Sequence, residues 1–124
     1  MSKKIIRGDI YFVNLDFEAI GSEQTGKRPV VILQNNVGNY YSPTVIVAPI
    51  TSKVNVKSKI PTHIIVPSDK YNNLPKISMI LLEQLRVIDK SRLGEYVGSL
   101  QTNVMGLIDK ALLISLGIKN WKEN

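Results

Sequence analysis

The chain contains no cysteine, one histidine and one tryptophan. Without thiols there is no disulfide framework, no thiolate metal site and no cysteine nucleophile. A lone imidazole excludes acid–base chemistry run between paired histidines. No tight Asp/Glu cluster stands at ligand spacing, so neither a bound metal nor a cofactor is expected. No apolar run approaches the ~18 residues of a membrane span. The start, Met1-Ser2-Lys3-Lys4-Ile5-Ile6-Arg7-Gly8-Asp9, turns polar too soon for a secretory signal, and a cytoplasmic location is expected. G-x-S-x-G, P-loop and G-x-G-x-x-G patterns are missing, which removes the usual support for serine hydrolases and nucleotide-binding enzymes. Repeats, low-complexity tracts and linkers are missing too.

What is present is a basic chain of 124 residues, 44% apolar, with mean hydropathy near zero. Its length suits one domain over residues 1–124 that buries roughly two-thirds of its unfolded surface. Sixteen Lys and Arg against ten Asp and Glu give a net charge of +6. Such an excess favours polyanions, nucleic acid first, although a solubilising surface has the same signature. The lysines are scattered or gathered in one loop at Lys53, Lys57 and Lys59, unlike a basic tail.

Ile10–Leu15, Val30–Leu33, Thr44–Ile50, Thr62–Val66 and Ser78–Leu82 are short β-branched or aromatic runs bounded by turn residues, and are predicted strands. Asn35 to Pro43 has loop chemistry. Asp89 can cap a single helical turn to Leu93, and Glu95–Ser99 is a weaker strand candidate. The period then changes. Val104, Leu107, Ile108, Ala111, Leu112 and Ser115 recur at helical spacing, with Thr102 or Asn103 to cap the start and Gly117 to close the end. Many short strands and one terminal amphipathic helix predict a mainly β fold, a small barrel with a helix packed on it.

The most informative stretch is Gly21 to Ile32, a polar loop ending in Lys27 and Arg28, then Pro29 and an apolar β-branched run. Proline biases the residue before it towards extended backbone, so the Arg28 guanidinium stands at the stiff base of a strand, where it suits a phosphate. A surface arginine paired with a carboxylate would leave the same trace. Thr51 ends a strand, where its hydroxyl can donate to a phosphoryl oxygen, though threonine is common in strands. His63 has no imidazole partner and is as readily a satisfied strand neighbour as a functional group. The pairs Glu23–Gln24 and Glu83–Gln84 can hydrogen-bond the edges of unstacked bases. Solvation, or ion pairing with Arg86 or Lys27, would account for them equally.

Taken together, these segments resemble the MazF/PemK toxins, and within them the Gram-positive MazF branch. The resemblance is carried by Arg7-Gly8-Asp9-Ile10-Tyr11-Phe12, Gly21-Ser22-Glu23-Gln24 with Arg28-Pro29-Val30, and Gln34-Asn35 through Ser42-Pro43-Thr44. It continues in Ala48-Pro49-Ile50-Thr51, Ile60-Pro61-Thr62-His63 and Ile80 to Asp89, in order over nearly the whole chain. It implies an SH3-like (MazF/CcdB-like) barrel working as a homodimer. It also implies metal-independent cleavage of single-stranded mRNA at a short motif, with an ACA core favoured, leaving 2′,3′-cyclic phosphate and 5′-hydroxyl ends. The family's catalytic arginine and threonine fall on Arg28 and Thr51. Base-contact and groove roles fall on Ser22, Glu23, Gln24 and the Glu83–Gln84 pair, and Lys27, Lys57 and His63 are further RNA-binding candidates. A MazE-like antitoxin with a flexible acidic tail is the implied protein partner. Thr25, Lys27 and Pro49 depart mildly from the family pattern, and none alters Arg28 or Thr51.

Two other functions share this barrel. A gyrase poison would use an aromatic at the extreme C-terminus, and Trp121 invites the comparison, but Lys122, Glu123 and Asn124 follow it. A non-catalytic nucleic-acid-binding barrel would bind RNA with strong salt dependence and leave it intact.

Overall fold

The computed structural model describes residues 3–15, 21, 26–55 and 60–120. Seven strands form one curled antiparallel sheet: β1 (Asp9–Asn14), β2 (Lys27–Ile32), β3 (Thr44–Thr51), β4 (His63–Val66), β5 (Ser78–Leu81), β6 (Arg86–Asp89) and β7 (Tyr96–Ser99). A short helix α1 (Asn36–Tyr41) precedes β3, a 3₁₀ turn (Lys90–Arg92) follows β6, and α2 (Thr102–Ser115) closes the order. The strands lie in the order β4-β5-β3-β2-β1-β7, with β6 also paired to β3. The long β3 serves two neighbours on one side, β6 along Thr44–Val47 and β5 at Ile50 and Thr51.

The sheet buries apolar residues on both faces. Strand alternation sends Ile10, Val31, Ala48 and Ile50 to one core, which also holds Ile108 and Ala111 of α2. Tyr11, Val13, Val30, Ile32, Val45, Val47 and Ile88 form the other. β2 therefore reads as an unbroken apolar run because neither face meets water.

Several expectations need correction. Asn35 to Pro43 is not loop throughout, because α1 occupies its centre. The Asn35 side chain caps that helix by accepting the Gly38 N–H at 2.8 Å, so an asparagine suggestive of a turn serves as an N-cap. The strand at Arg86–Asp89 was not anticipated; its pattern is too short and too exposed to stand out, and its pairing with β3 defines it. β2 begins at Lys27 rather than Val30, since β1 pairs with it through Pro29, Arg28 and Lys27. The helical turn after Asp89 is as expected, with Asp89 accepting the Ser91 N–H at 2.8 Å.

In α2 the N-cap is Gln101, without a side-chain cap bond, in place of Thr102 or Asn103. The Gln101 amide donates instead to Asp69 at 3.2 Å. Leu107 is 49% exposed, so the packed stripe is Val104, Met105, Ile108, Ala111 and Leu112. Gly117 closes the helix at φ +74°, with the Ile118 N–H reaching the Leu113 carbonyl. The Ser115 hydroxyl donates to the Leu82 carbonyl at 2.7 Å and pins the helix to the sheet.

Two glycines in this frame behave oppositely. A Cβ on Gly98 of β7 would stand 2.5 Å from the Tyr71 carbonyl oxygen, and that backbone cannot yield. Gly106 in α2 has open space around it. Gly98→Ala is expected to cost about 1–3 kcal/mol or more, and Gly106→Ala to stabilise by about 0.5–1 kcal/mol. Urea unfolding midpoints of the two variants check both signs.

Hydrogen bonds from the Asn72 and Tyr71 N–H groups hold the Asp69 carboxyl below its usual range, and Ser91 does the same for Asp89. A carboxyl depressed on folding stabilises above its unfolded pKa and loses that contribution as pH falls through the folded value. Stability should therefore drop between about pH 5 and pH 3, and Asp69→Asn should flatten that decline. Unfolding curves recorded through this range measure it.

Candidate active site

Arg28 and Thr51 stand near the ends of adjacent strands. The β2–β3 ladder runs from Ile32–Val47 to Val30–Pro49, and gives out where Pro29 and Pro49 lack backbone donors. Alternation gives Arg28 the parity of Val30 and Thr51 that of Val47, so both belong to the side of the sheet that carries Val13. On its other side Arg28 pairs with Val13. Arg28 is half-buried and Thr51 is 4% exposed.

The Thr51 hydroxyl oxygen accepts the Lys53 N–H at 3.1 Å. That bond fixes the oxygen at the strand tip and leaves its proton available for donation. A guanidinium and a hydroxyl donor on one face form a site matched to a phosphoryl group gaining negative charge.

His63 lies on the same face, because Thr51 pairs with Met79 and His63 with Leu81, two positions apart on β5. Its Nε2 meets the Glu83 carboxylate at 2.8 Å, and the Thr62 hydroxyl donates to the other Glu83 oxygen at 3.0 Å. The partner of Glu83 is thus neither Arg86 nor Lys27. His63 Nδ1 is buried and without a hydrogen-bond partner. A ring held this way offers a substrate neither nitrogen unless it moves. Gln84 follows in the turn after β5, its N–H donating to the Leu81 carbonyl.

A pocket of about 190 Å³ has Arg28 itself in its lining, together with residues of the neighbouring rows. Alternation places Phe12, Pro29 and Ile50 in one row of the opposite sheet face, with Lys27 and Ser52 in the next. Lys76 completes its rim from the loop before β5. Sequence reasoning missed Ser52 and Lys76, which stand at no recognisable spacing from Lys27. Ser22, Glu23, Gln24, Lys57 and Trp121 lie outside the described residues.

Residues 6–116 match the family model of the PemK-like, MazF-like toxins of type II toxin–antitoxin systems. The chain belongs to this family. It is 54% identical over 117 residues to the endoribonuclease MazF of Staphylococcus epidermidis, covering 94% of this chain and 95% of that protein. Its fold is similar to that of MazF from Deinococcus radiodurans, with a TM-score of 0.75 at 21% identity over 94% of this chain and 99% of that one. A mycobacterial endoribonuclease solved with its cognate antitoxin gives a TM-score of 0.74 at 24% identity, covering 92% of this chain and 96% of that one. The SH3-like, MazF-type architecture expected from sequence is therefore the architecture found. No described helix is long and apolar enough to cross a membrane.

Within this MazF-type frame Glu83 does structural work. Thr62 is 1% exposed, and removing its acceptor would strand a buried hydroxyl. Glu83→Ala is expected to lower stability by about 1–3 kcal/mol in the absence of any RNA. Chemical denaturation of the RNA-free variant checks this.

Proposed function

We propose that this chain is a sequence-specific endoribonuclease, the toxin of a toxin–antitoxin pair, that cleaves single-stranded mRNA without a metal ion. Residues 1–124 make up the single toxin domain, and the working unit is a homodimer in the cytoplasm. Its target is a short motif with an ACA core. The antitoxin is a MazE-like protein whose acidic segment lies against the same basic face. What supports this reading is the antiparallel pairing of β2 with β3, the strands that carry Arg28 and Thr51, in a chain of the MazF family.

Attack of the ribose 2′-hydroxyl on phosphorus breaks the bond to the 5′ oxygen, giving a 2′,3′-cyclic phosphate and a 5′-hydroxyl. Charge builds on the non-bridging oxygens as the bond forms. Arg28 and Thr51 donate to those oxygens, and their placement on paired strands holds them ready before substrate arrives. An arginine, with a pKa above about 12, supplies charge here better than it accepts a proton. Ser22, Glu23, Gln24, Lys27, Lys57, His63, Glu83 and Gln84 make up the RNA-contacting set, with Glu83 reaching bases through the part of its carboxylate that Thr62 and His63 leave open, and His63 contacting RNA once its ring leaves Glu83.

A mapped digest of a long unstructured RNA tests this. Cuts at one short motif, persisting in EDTA and ending in cyclic phosphate, are the expected result. Arg28→Ala and Thr51→Ala should each lower the cleavage rate by on the order of 10²–10³-fold or more. Loss of cutting in EDTA, or cutting that survives Arg28→Ala, would overturn the mechanism.

A further inference from the structure

A second, larger cavity, of about 680 Å³, opens on the sheet face that carries Tyr11 and Val13, beyond the end where Arg28 and Thr51 lie. Lys3, Lys4, Lys90, Tyr11, Tyr40 and Tyr96 line it. None of them belongs to the cleavage site, and the motifs that mark the family leave the combination unexplained.

The charge of the cavity is positive and only partly answered. Asp9 takes one lysine, Lys3, at 2.9 Å. Lys90 donates to the neutral Asn39 carbonyl, and neither Lys90 nor Lys4 is ion-paired among the described residues. Two lysines that line the space therefore have no carboxylate partner among the described residues. The aromatic groups are arranged for contact with a ring. Tyr96 meets Tyr11 edge to face at 5.6 Å and anchors its hydroxyl on Ser99 at 2.8 Å. Tyr40 is 70% exposed while lining the cavity, so its ring can take a planar partner.

Tyr11 supplies the independent mark of a ligand. The residue is 5% exposed, and its hydroxyl is buried with no hydrogen-bond partner. Buried polar groups are nearly always satisfied, so an orphan donor on a residue that lines a basic cavity points to an acceptor that a ligand brings, met once the Tyr11 ring turns its enclosed hydroxyl outward. Desolvation raises the Tyr11 phenol and keeps it protonated, hence a donor.

We propose that this cavity is a nucleoside-phosphate site, with a base stacked on Tyr40, a phosphate held by Lys4 and Lys90, and the Tyr11 hydroxyl donating to an acceptor on the ligand. The volume accommodates such a ligand, within the ~300–1,000 Å³ usual for small-molecule sites. The same chemistry comes from a free mononucleotide or from the terminal nucleotide of an RNA chain. The site does not depend on Arg28 and Thr51 being the cleavage pair.

The test uses the full chain carrying Arg28→Ala, so that RNA survives and the cleavage site contributes no guanidinium. Adenosine 5′-monophosphate and a short 5′-phosphorylated RNA are titrated separately, followed by NMR shifts of the tyrosine rings. The expected result is saturable binding that perturbs Tyr11 and Tyr40 and weakens about tenfold on adding Lys4→Ala or Tyr40→Ala. Both positions are exposed, and circular dichroism confirms that the variants fold. Mononucleotide binding identifies a free ligand; binding of the RNA alone, equally sensitive to both substitutions, identifies a chain terminus. Binding indifferent to both substitutions, or no binding of either probe at millimolar concentration, overturns the proposal. So does an oligoglutamate peptide that occupies the cavity more tightly than either probe, which would mark a protein-binding surface instead.

Discussion

The register of β2 between β1 and β3 is the constraint on which the rest of the molecule depends. Both faces of these strands are buried, so a slip of one residue would exchange two packed cores and expose neither to water. That double penalty holds the register against sliding. The same register sets Arg28 opposite Val13 and Phe12 opposite Pro29. A charged residue is thereby delivered to the strand end without spending any apolar position in between. The two prolines end the ladder at the point where the site begins, where an unpaired backbone edge is an advantage.

Polar groups then secure what packing leaves loose. Asp9, 4% exposed, gathers the Lys3 ammonium, the Ser99 hydroxyl and the Ile6 N–H, tying the N-terminal segment to β7. Arg7 bonds the Leu33 carbonyl and Asp109, so one side chain links that segment, the end of β2 and the terminal helix. Glu83 binds Thr62 and His63 together across the β4–β5 hairpin. In each case a charged group meets fixed hydrogen-bond partners, donors around Asp9 and Glu83 and acceptors around Arg7, the condition under which it adds rigidity instead of a desolvation cost. The electrostatic excess of the chain is thus only partly neutralised internally, and the remainder faces outward.

Much of this was legible in the residues. Five of the seven strands show as β-branched runs, a sixth only weakly at Glu95–Ser99, and the helical period after Gln101 is unmistakable. Arg28 stood out because Pro29 restricts the backbone beside it. What escaped notice was either short or shared between neighbours. β6 exists because β3 is long enough to pair with it, and α1 exists because Asn35 caps it. Ser52 and Lys76 join Lys27 around one pocket although no local pattern connects them. The role of Glu83 was open in the sequence between Arg86, Lys27 and solvent, and the fold chose His63 and Thr62.

The sequence by itself determined the class of the fold, the basic character of the chain and the family. Those properties reside in composition, in periodicity and in segments that keep their order along the chain. Only the tertiary structure decided which groups come together: Arg28 with Lys27, Ser52 and Lys76 around one pocket, and three lysines with three tyrosines around a cavity built from distant segments. Facing depends on strand register and sheet curl, and these follow from burial across long separations in sequence, which no local window contains.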